Sequence, residues 1–499
     1  MVIETEKLSE KQQTIEQLLD PRQHPEVGFQ SYEMLKNNST DKRNEFLSDE
    51  IRNPSLSYPY LENLTDMDNS IVALYGLIDQ SRSMEADQEK LDVIISTLEF
   101  RIAEMEYIKL LGRLNFAVEE GLSHHDVADL ADQTRELGEQ LYGRPNHEIR
   151  DAALNQVWVT ISSKQLSSSA KDLCNELDNG FVFDGSNVRP LDHPENSESL
   201  PDFKHPSIDW SGEIIAENTA DIKALFDKWW SSKVAEHGDQ YVATPVDIVE
   251  AYKEIFKYME PTGESGVDVV LDPEVSALSW ESPLMVIKVG GKRASIKTPD
   301  VLYTKFLHEG FGHGGRAVNG LKSRLPVLGT GLFTDTKRPD YLTFEEGLMT
   351  TVEEAVSHSD PQWNAVKLGH YLSISMVEQG EDFRAVFEKT WRYRLLMKLK
   401  DNQEVSSDMI DKEKKLTYTS IMRVFRGTPL NLSEKYSGIA PISFNKDLAY
   451  LNGRVLAMDY VSKLYEARDT EGLMRLFTAK FDPTIPEQDA IVERYGVRA

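Results

Sequence analysis

The 499-residue sequence predicts a mainly helical α+β fold. An acidic helical N-terminal domain and a linker come first. A C-terminal domain follows, in which a small antiparallel sheet precedes a motif-bearing helix. Three observations predict this. A proline-free stretch from Asp87 to Leu141 carries apolar residues near every third or fourth position, the period of a helix. Residues 184–207 hold four prolines among small polar residues and little that could form a core. Beyond them the texture turns to short β-branched runs and then back to helix.

The elements follow in order. "SEKQQTIEQLLD" opens on a serine N-cap with a polar face. The Asp87–Leu141 stretch reads as an acidic bundle or hairpin, with Gly143 as a stop; His124 and His125 mark a helix start and are assigned no function. Residues 1–183 form the helical domain, 184–207 the linker and 208–499 the second domain. There Thr219 caps "TADIKALFDKWWSSKVAEH" and Pro245 suits the first turn of "PVDIVEAYKEIFKYM". "VDVVLD", "LMVIKV" and "KRASIKT" read as strands, with Gly290-Gly291 making a hairpin of the last two. A helix enters "HEGFGHGGR", a loop follows, and "TFEEGLMTTVEEAVSH" reads as a second acidic helix.

Composition excludes several roles. The formal net charge of -28 repels nucleic acid and anionic membranes, so neither is expected as a partner. Cys174 is the single cysteine, so no internal disulfide or thiolate metal cluster is available and a reducing compartment fits. The N-terminus lacks a basic region followed by an apolar run, and no apolar run is long enough to span a membrane. A cytoplasmic location is expected.

Residues 308–313 read His-Glu-x-x-x-His. This is one residue longer than the zinc-peptidase signature, in which two histidines one helical turn apart hold the metal. On a regular helix, positions five apart diverge by about 140°. A π-type turn, with about 4.4 residues per turn, brings them back to about 50°. Gly310, Gly312, Gly314 and Gly315 surround His313 and supply the freedom such a distortion needs. A catalytic zinc takes three protein ligands and leaves one position for water. His308 and His313 are two candidates. Glu345, Glu346, Glu353 and Glu354 offer a third, and adjacent glutamates diverge by about 100°, so one of each pair faces a metal. Spacing leaves Glu346 and Glu353 both open. Beside a ligand, Glu309 is the candidate general base, taking a proton from zinc-activated water and delivering it to the leaving amine. The order of sheet, motif helix, loop and acidic helix is one on which zinc peptidases are commonly built, so the second domain is read as zincin-like.

Four stretches resemble a known family: "HEGFGHGGRAVNG" at 308–320, "FEEGLM" at 344–349, "RVFRG" at 423–427 and "NKDLAYLNG" at 445–453. They look like the tyrosine carboxypeptidase family that includes the microtubule-associated tyrosine carboxypeptidases and bacterial members known by a Gln-Glu-Gly-Leu-Ala motif. The resemblance covers about residues 215–465. It implies Zn2+ held by His308, His313 and Glu346, with Glu309 as the catalytic residue. It also implies hydrolysis of a C-terminal peptide bond, with release of tyrosine from the tubulin tail in eukaryotic members. The chain departs from the family pattern at Gly312, at the end of "EEGLM" and in the residues between, including "TDTKRPDY". Gly312 stands where a hydroxyl residue is usual, and Met349 where alanine is usual.

An exopeptidase must read a terminal carboxylate, which arginine's planar fork binds best. Arg423 and Arg426 are the candidates within "RVFRG", and Lys446 is a third. Tyr450 and His370 are weighed for oxyanion stabilisation, with a buried structural role preferred for both. The expected partner is a peptide or protein C-terminus. Two other readings remain: a non-haem iron enzyme on the same two-histidine, one-carboxylate site, and a non-catalytic adaptor acting through the acidic helices. Because tubulin tails are themselves acidic, weak or no cleavage of them is expected from a chain of charge -28.

Overall fold

The computed structural model describes residues 18–19, 23–29, 34–61, 64–84, 87–195, 200, 205–259, 263, 266–281, 284–333, 341–357 and 365–497. Most of "SEKQQTIEQLLD", where a helix is expected, most of "TDTKRPDY" and part of the linker lie outside the described residues.

The Asp87–Leu141 stretch forms two helices, Gln88–Glu120 and His124–Tyr142. Asp87 caps the first by accepting from the Glu89 N–H. Gly121, at φ 68°, ends it in the left-handed conformation that glycine adopts without strain. Ser123 caps the second, so His124 does begin a helix, and Gly143 stops it. Two further helices, His147–Ser162 and Ser168–Asn179, lead to a hairpin of β1 (Phe181–Phe183) and β2 (Ser186–Val188).

The helix at Ala220–His237 is present, but Thr219 makes no side-chain cap; its hydroxyl bonds to the Ile215 carbonyl and to Tyr303 Oη. A helix that the sequence reading did not contain, Pro206–Asn218, precedes it. Its start sits in the proline-rich stretch, where His205 caps and Pro206 opens the first turn. Pro245–Met259 is helical as expected.

The sheet differs from expectation. Its strands are β3 (Asp268–Asp272), β4 (Leu278–Glu281) and β5 (Val286–Gly290), in the order β3-β5-β4. β5 pairs parallel with β3 and antiparallel with β4, so the sheet is mixed rather than antiparallel. "KRASIKT" is not a strand of it, and Ile296 only bridges to Ala243. The main-chain N–H of Gly290 donates to Ala277 and that of Gly291 to Asp272, turning the chain away from the hairpin once expected there.

Thr298 caps the motif helix, which runs α-helical over Pro299–Phe306, π-helical over Leu307–Gly314 and α-helical again over Gly315–Leu321. The acidic helix spans Tyr341–Ser357. It packs on a long closing helix, Leu448–Ala467, so closely that a Cβ on Gly347 would lie 1.9 Å from the Gly453 carbonyl and one on Gly453 would lie 1.8 Å from the Thr343 oxygen. The glycines of "EEGL" and "LNG" are thus required by one backbone contact.

One apolar cluster joins Val269, Ile287, Val289, Phe306, Leu307, Phe344 and Leu348 to Val461, and it carries the motif. A second joins Phe46, Leu154, Val157 and Leu177 to Leu372, Phe387, Leu396 and Leu448. No helix among the described residues is long and apolar enough to cross a membrane.

Candidate functional site

The π-helical turn sits over the histidine motif. Within Leu307–Gly314 the backbone widens, and the imidazoles of His308 and His313 come to 5.2 Å between ring centroids. Ligand atoms of His308, Glu309 and His313 lie within 4.8 Å of one another. The late histidine therefore shares a site with the early one, as the turn geometry requires. Packing explains the glycines. A Cβ on Gly310 would meet the Phe306 ring at 2.4 Å, one on Gly312 the Met349 sulfur at 1.8 Å, and one on Gly314 the Trp280 ring at 3.2 Å. Two of the positions that depart from the family pattern are thus in contact: Met349 occupies the space that a side chain at Gly312 would take.

Each imidazole is oriented from the acidic helix. His313 Nδ1 lies 2.6 Å from Glu345 Oε1. His308 Nδ1 lies 3.1 Å from Glu353 Oε2, at ion-pair distance but not aligned for a full hydrogen bond. With Nδ1 facing a carboxylate, each ring keeps Nε2 for another partner, the arrangement seen behind metal-ligating histidines. The carboxylates are held in turn. Lys480 Nζ donates to Glu345 Oε1 at 2.7 Å, and Lys305 donates to Glu353. Lys480 is itself fixed: its main chain pairs with Leu328 and Leu332, while Arg316 donates to the flanking carbonyls of Ala479 and Phe481.

Electrostatics follow from these contacts. Burial disfavours both charged carboxylates, but Lys480 and His313 hold Glu345 well below the usual carboxylate range, and His308 and Lys305 bring Glu353 down to about 2. Burial also works against a protonated His308, yet Glu353, Glu309 and Glu346 raise its pKa. Glu309 is pushed up by burial, with His308 and His313 pulling the other way and the Trp280 main-chain N–H donating to its carboxylate.

Of the four glutamates on the acidic helix, Glu345 and Glu353 serve the histidines, and Glu354 pairs with Arg454 Nη2 at 2.6 Å. Glu346 is left. Its carboxylate is not part of the three-residue cluster, but its charge acts on His308, Glu309, Tyr450 and Lys480. Among the described residues, neither Glu309 nor Glu346 has a lysine or arginine ion-pair partner. Two carboxylates without a lysine or arginine partner among the described residues, beside two imidazoles whose Nδ1 atoms face other carboxylates, are donors of the type that zinc takes, so the donor set fits zinc.

Beside Glu346 lies a second group of polar residues. Tyr450, on the closing helix, has its hydroxyl pKa raised by the Glu346 charge and by burial, and it hydrogen-bonds Arg423. Arg423 Nη2 donates to Asp447 Oδ1 at 2.9 Å. Arg426 feels the charges of Arg423, Asp447 and Tyr450. The stretches "RVFRG" and "NKDLAYLNG" are clasped by the Phe444 N–H donating to the Val424 carbonyl at 2.7 Å. Lys446 sits in the 3-10 turn Asn445–Asp447, and no hydrogen bond or ion pair joins it to the cluster among the described residues. Within this group His370 is buried and Tyr450 is half-buried.

Sequence reasoning did not assign the orienting roles of Glu345 and Glu353, nor Lys305 and Lys480 behind them. Glu353 could be seen as facing the site; nothing in the sequence points to Lys480, which arrives from more than a hundred residues away.

A half-buried glutamate between two histidines on a distorted helix, each histidine facing a carboxylate, makes a candidate metal centre of hydrolytic type. The chain belongs to the microtubule-associated tyrosine carboxypeptidase family, whose sequence profile matches residues 215–488. Membership implies a peptidase of the carboxypeptidase type with a protein or peptide substrate. No curated protein and no solved structure gives a significant match.

Proposed function

We propose that this protein is a zinc-dependent carboxypeptidase with a zincin-like catalytic domain. The observation that supports it most is the convergence of His308, Glu309 and His313 on a π-helical turn. His308, His313 and Glu346 would hold Zn2+, with Glu345 and Glu353 fixing the imidazoles. Zinc, when bound, brings the pKa of water toward neutrality and polarises a carbonyl. Glu309 takes the proton of the attacking water and delivers it to the departing amine. Arg423 and Arg426 read the terminal carboxylate of the substrate, with Lys446 a weaker candidate. Two arginines share Asp447 there, which leaves positive charge for an incoming anion. The preferred C-terminal residue is tyrosine or another aromatic, and the setting is a reducing, cytoplasmic one. The overall charge of -28 works against acidic partners, so slow or no release of tyrosine from tubulin tails is expected at physiological salt.

Metal analysis of the purified protein and digestion of a C-terminal peptide library, read by mass spectrometry, test this. One zinc per chain, lost in Glu346→Ala, and single-residue trimming that Glu309→Gln abolishes are the expected results. Iron with oxygen-dependent turnover, or unchanged metal content in Glu346→Ala, would sink the assignment.

A further inference from the structure

Arg423 follows the end of the helix Ser407–Ile421, its main-chain N–H donating to the Ser420 carbonyl at 3.2 Å. Its side chain is 41% exposed, and a free arginine side chain carries about 2 kcal/mol of rotamer entropy that a bound carboxylate would have to freeze out. Here the guanidinium is held beforehand. Nη2 donates to Asp447 Oδ1, and the guanidinium carbon lies 5.8 Å from the Tyr450 ring centre. Asp447 is buried and comes from the turn before the closing helix. Its other oxygen faces His370 Nδ1 at 3.4 Å, within ion-pair reach though long for a hydrogen bond. His370 Nε2 lies 2.9 Å from Ser420 Oγ. His370 is buried and belongs to a different helix, Ala365–Glu378. Three elements thus meet in one line, from Ser420 through His370 and Asp447 to Arg423.

The order hydroxyl, imidazole, carboxylate is also that of a nucleophilic triad. The surroundings argue against that use. Burial, reinforced by Arg423, Arg394 and Arg426 against the pull of Asp447, brings His370 down to about 4, so it is a weak base. Asp447 is engaged by Arg423. A neutral imidazole can donate at Nδ1 and accept at Nε2 at once. It can thus steady Asp447 without competing for the charge that Arg423 needs, which a lysine would do.

Resting on the carboxypeptidase reading above, we infer that His370 is a positioning residue: through Asp447 it fixes the Arg423 guanidinium in the orientation that meets the terminal carboxylate of the substrate. Nothing in this role requires His370 to touch the substrate.

The test uses the full chain, zinc-loaded and carrying Glu309→Gln so that bound peptide is not consumed. A fluorescent hexapeptide ending in tyrosine is titrated as the free acid and as the C-terminal amide. The parent should prefer the acid, and Arg423→Gln should erase the preference. His370→Leu should shrink the acid-over-amide ratio roughly two- to threefold, the low end of what one hydrogen bond is worth, with amide binding unchanged. His370→Gln, which keeps a donor and an acceptor, should restore most of it. Asp447→Asn, nearly isosteric, should show the same loss and covers the case that His370→Leu does not fold. A parent with no acid preference overturns the carboxypeptidase reading and this inference together. A parent preference that His370→Leu and Asp447→Asn leave unchanged, or a fall in acid and amide binding in step, overturns the inference alone.

Discussion

Two regions of this protein bury charge, and they complete their pairing differently. On the helix Phe383–Lys398, Arg384, Glu388, Lys389, Arg392 and Arg394 are all buried. Arg384 donates to Asp49, to Glu388 and to the carbonyls of Phe46, Ile51 and Arg52, with the Phe46 ring 3.6 Å from its guanidinium carbon. Glu388 also takes Arg392 and the Trp391 ring N–H, Arg394 pairs with Glu413, and Lys389 with Glu381. Every charge there meets an opposite one. Around His308 and His313, Lys480 and Lys305 neutralise Glu345 and Glu353, but Glu309 and Glu346 meet no lysine or arginine among the described residues. A closed network holds segments together. An open one, with half-buried carboxylates that meet no lysine or arginine, is what the proposed metal site would require.

Substitutions in the two networks should separate these roles. The largest effect is expected at the open one. Glu309→Gln should lower turnover by about 10²- to 10⁴-fold, with thermal stability and metal content kept, measured by peptide hydrolysis and metal analysis. At the closed network, Arg384→Met should do the reverse. Removing the buried guanidinium leaves Glu388 with Arg392 alone and three main-chain carbonyls without their donor, and should cost about 3–5 kcal/mol of stability in a denaturant melt, while activity per folded molecule is retained. Glu353→Gln lies between them. It weakens the brace on His308, so zinc affinity in a chelator competition should fall about 10- to 100-fold with little change in folding. The smallest effect is expected from packing. Gly312→Ser alone should cost about 1–3 kcal/mol by overpacking, and Met349→Ala should relieve most of it in a double-mutant cycle. If the two substitutions are simply additive, the contact between Gly312 and Met349 is not what allows both departures.

How much of this was legible in the sequence depended on the range of the interaction. The π-helical turn was legible, because two histidines five apart serve one site only if the helix widens, and four glycines nearby permit it. The long helices were legible from period, and their ends from Asp87, Ser123 and Gly143. β4 was missed because "LSWE" is short and half-buried, with no alternation to mark it. The hairpin at Gly290-Gly291 was misplaced because a glycine pair signals a turn but not its partner strand. The helix Pro206–Asn218 was missed because proline at a helix start resembles proline in a linker.

By itself, the sequence determined the local preconditions: the helical periods, the caps, the glycines at the motif and the identity of the residues able to hold a metal. These depend on neighbours a few positions apart, and their physics is in the backbone and the side-chain chemistry. Only the tertiary structure decided which glutamate does what. Glu345 and Glu346 are adjacent and chemically identical, yet one is buried against His313 and Lys480 while the other has no lysine or arginine ion pair among the described residues. That choice depends on the rotation of the acidic helix, set by the contact of Gly347 with Gly453 and by a lysine delivered from residue 480. Neither leaves a mark within reach of a helical period.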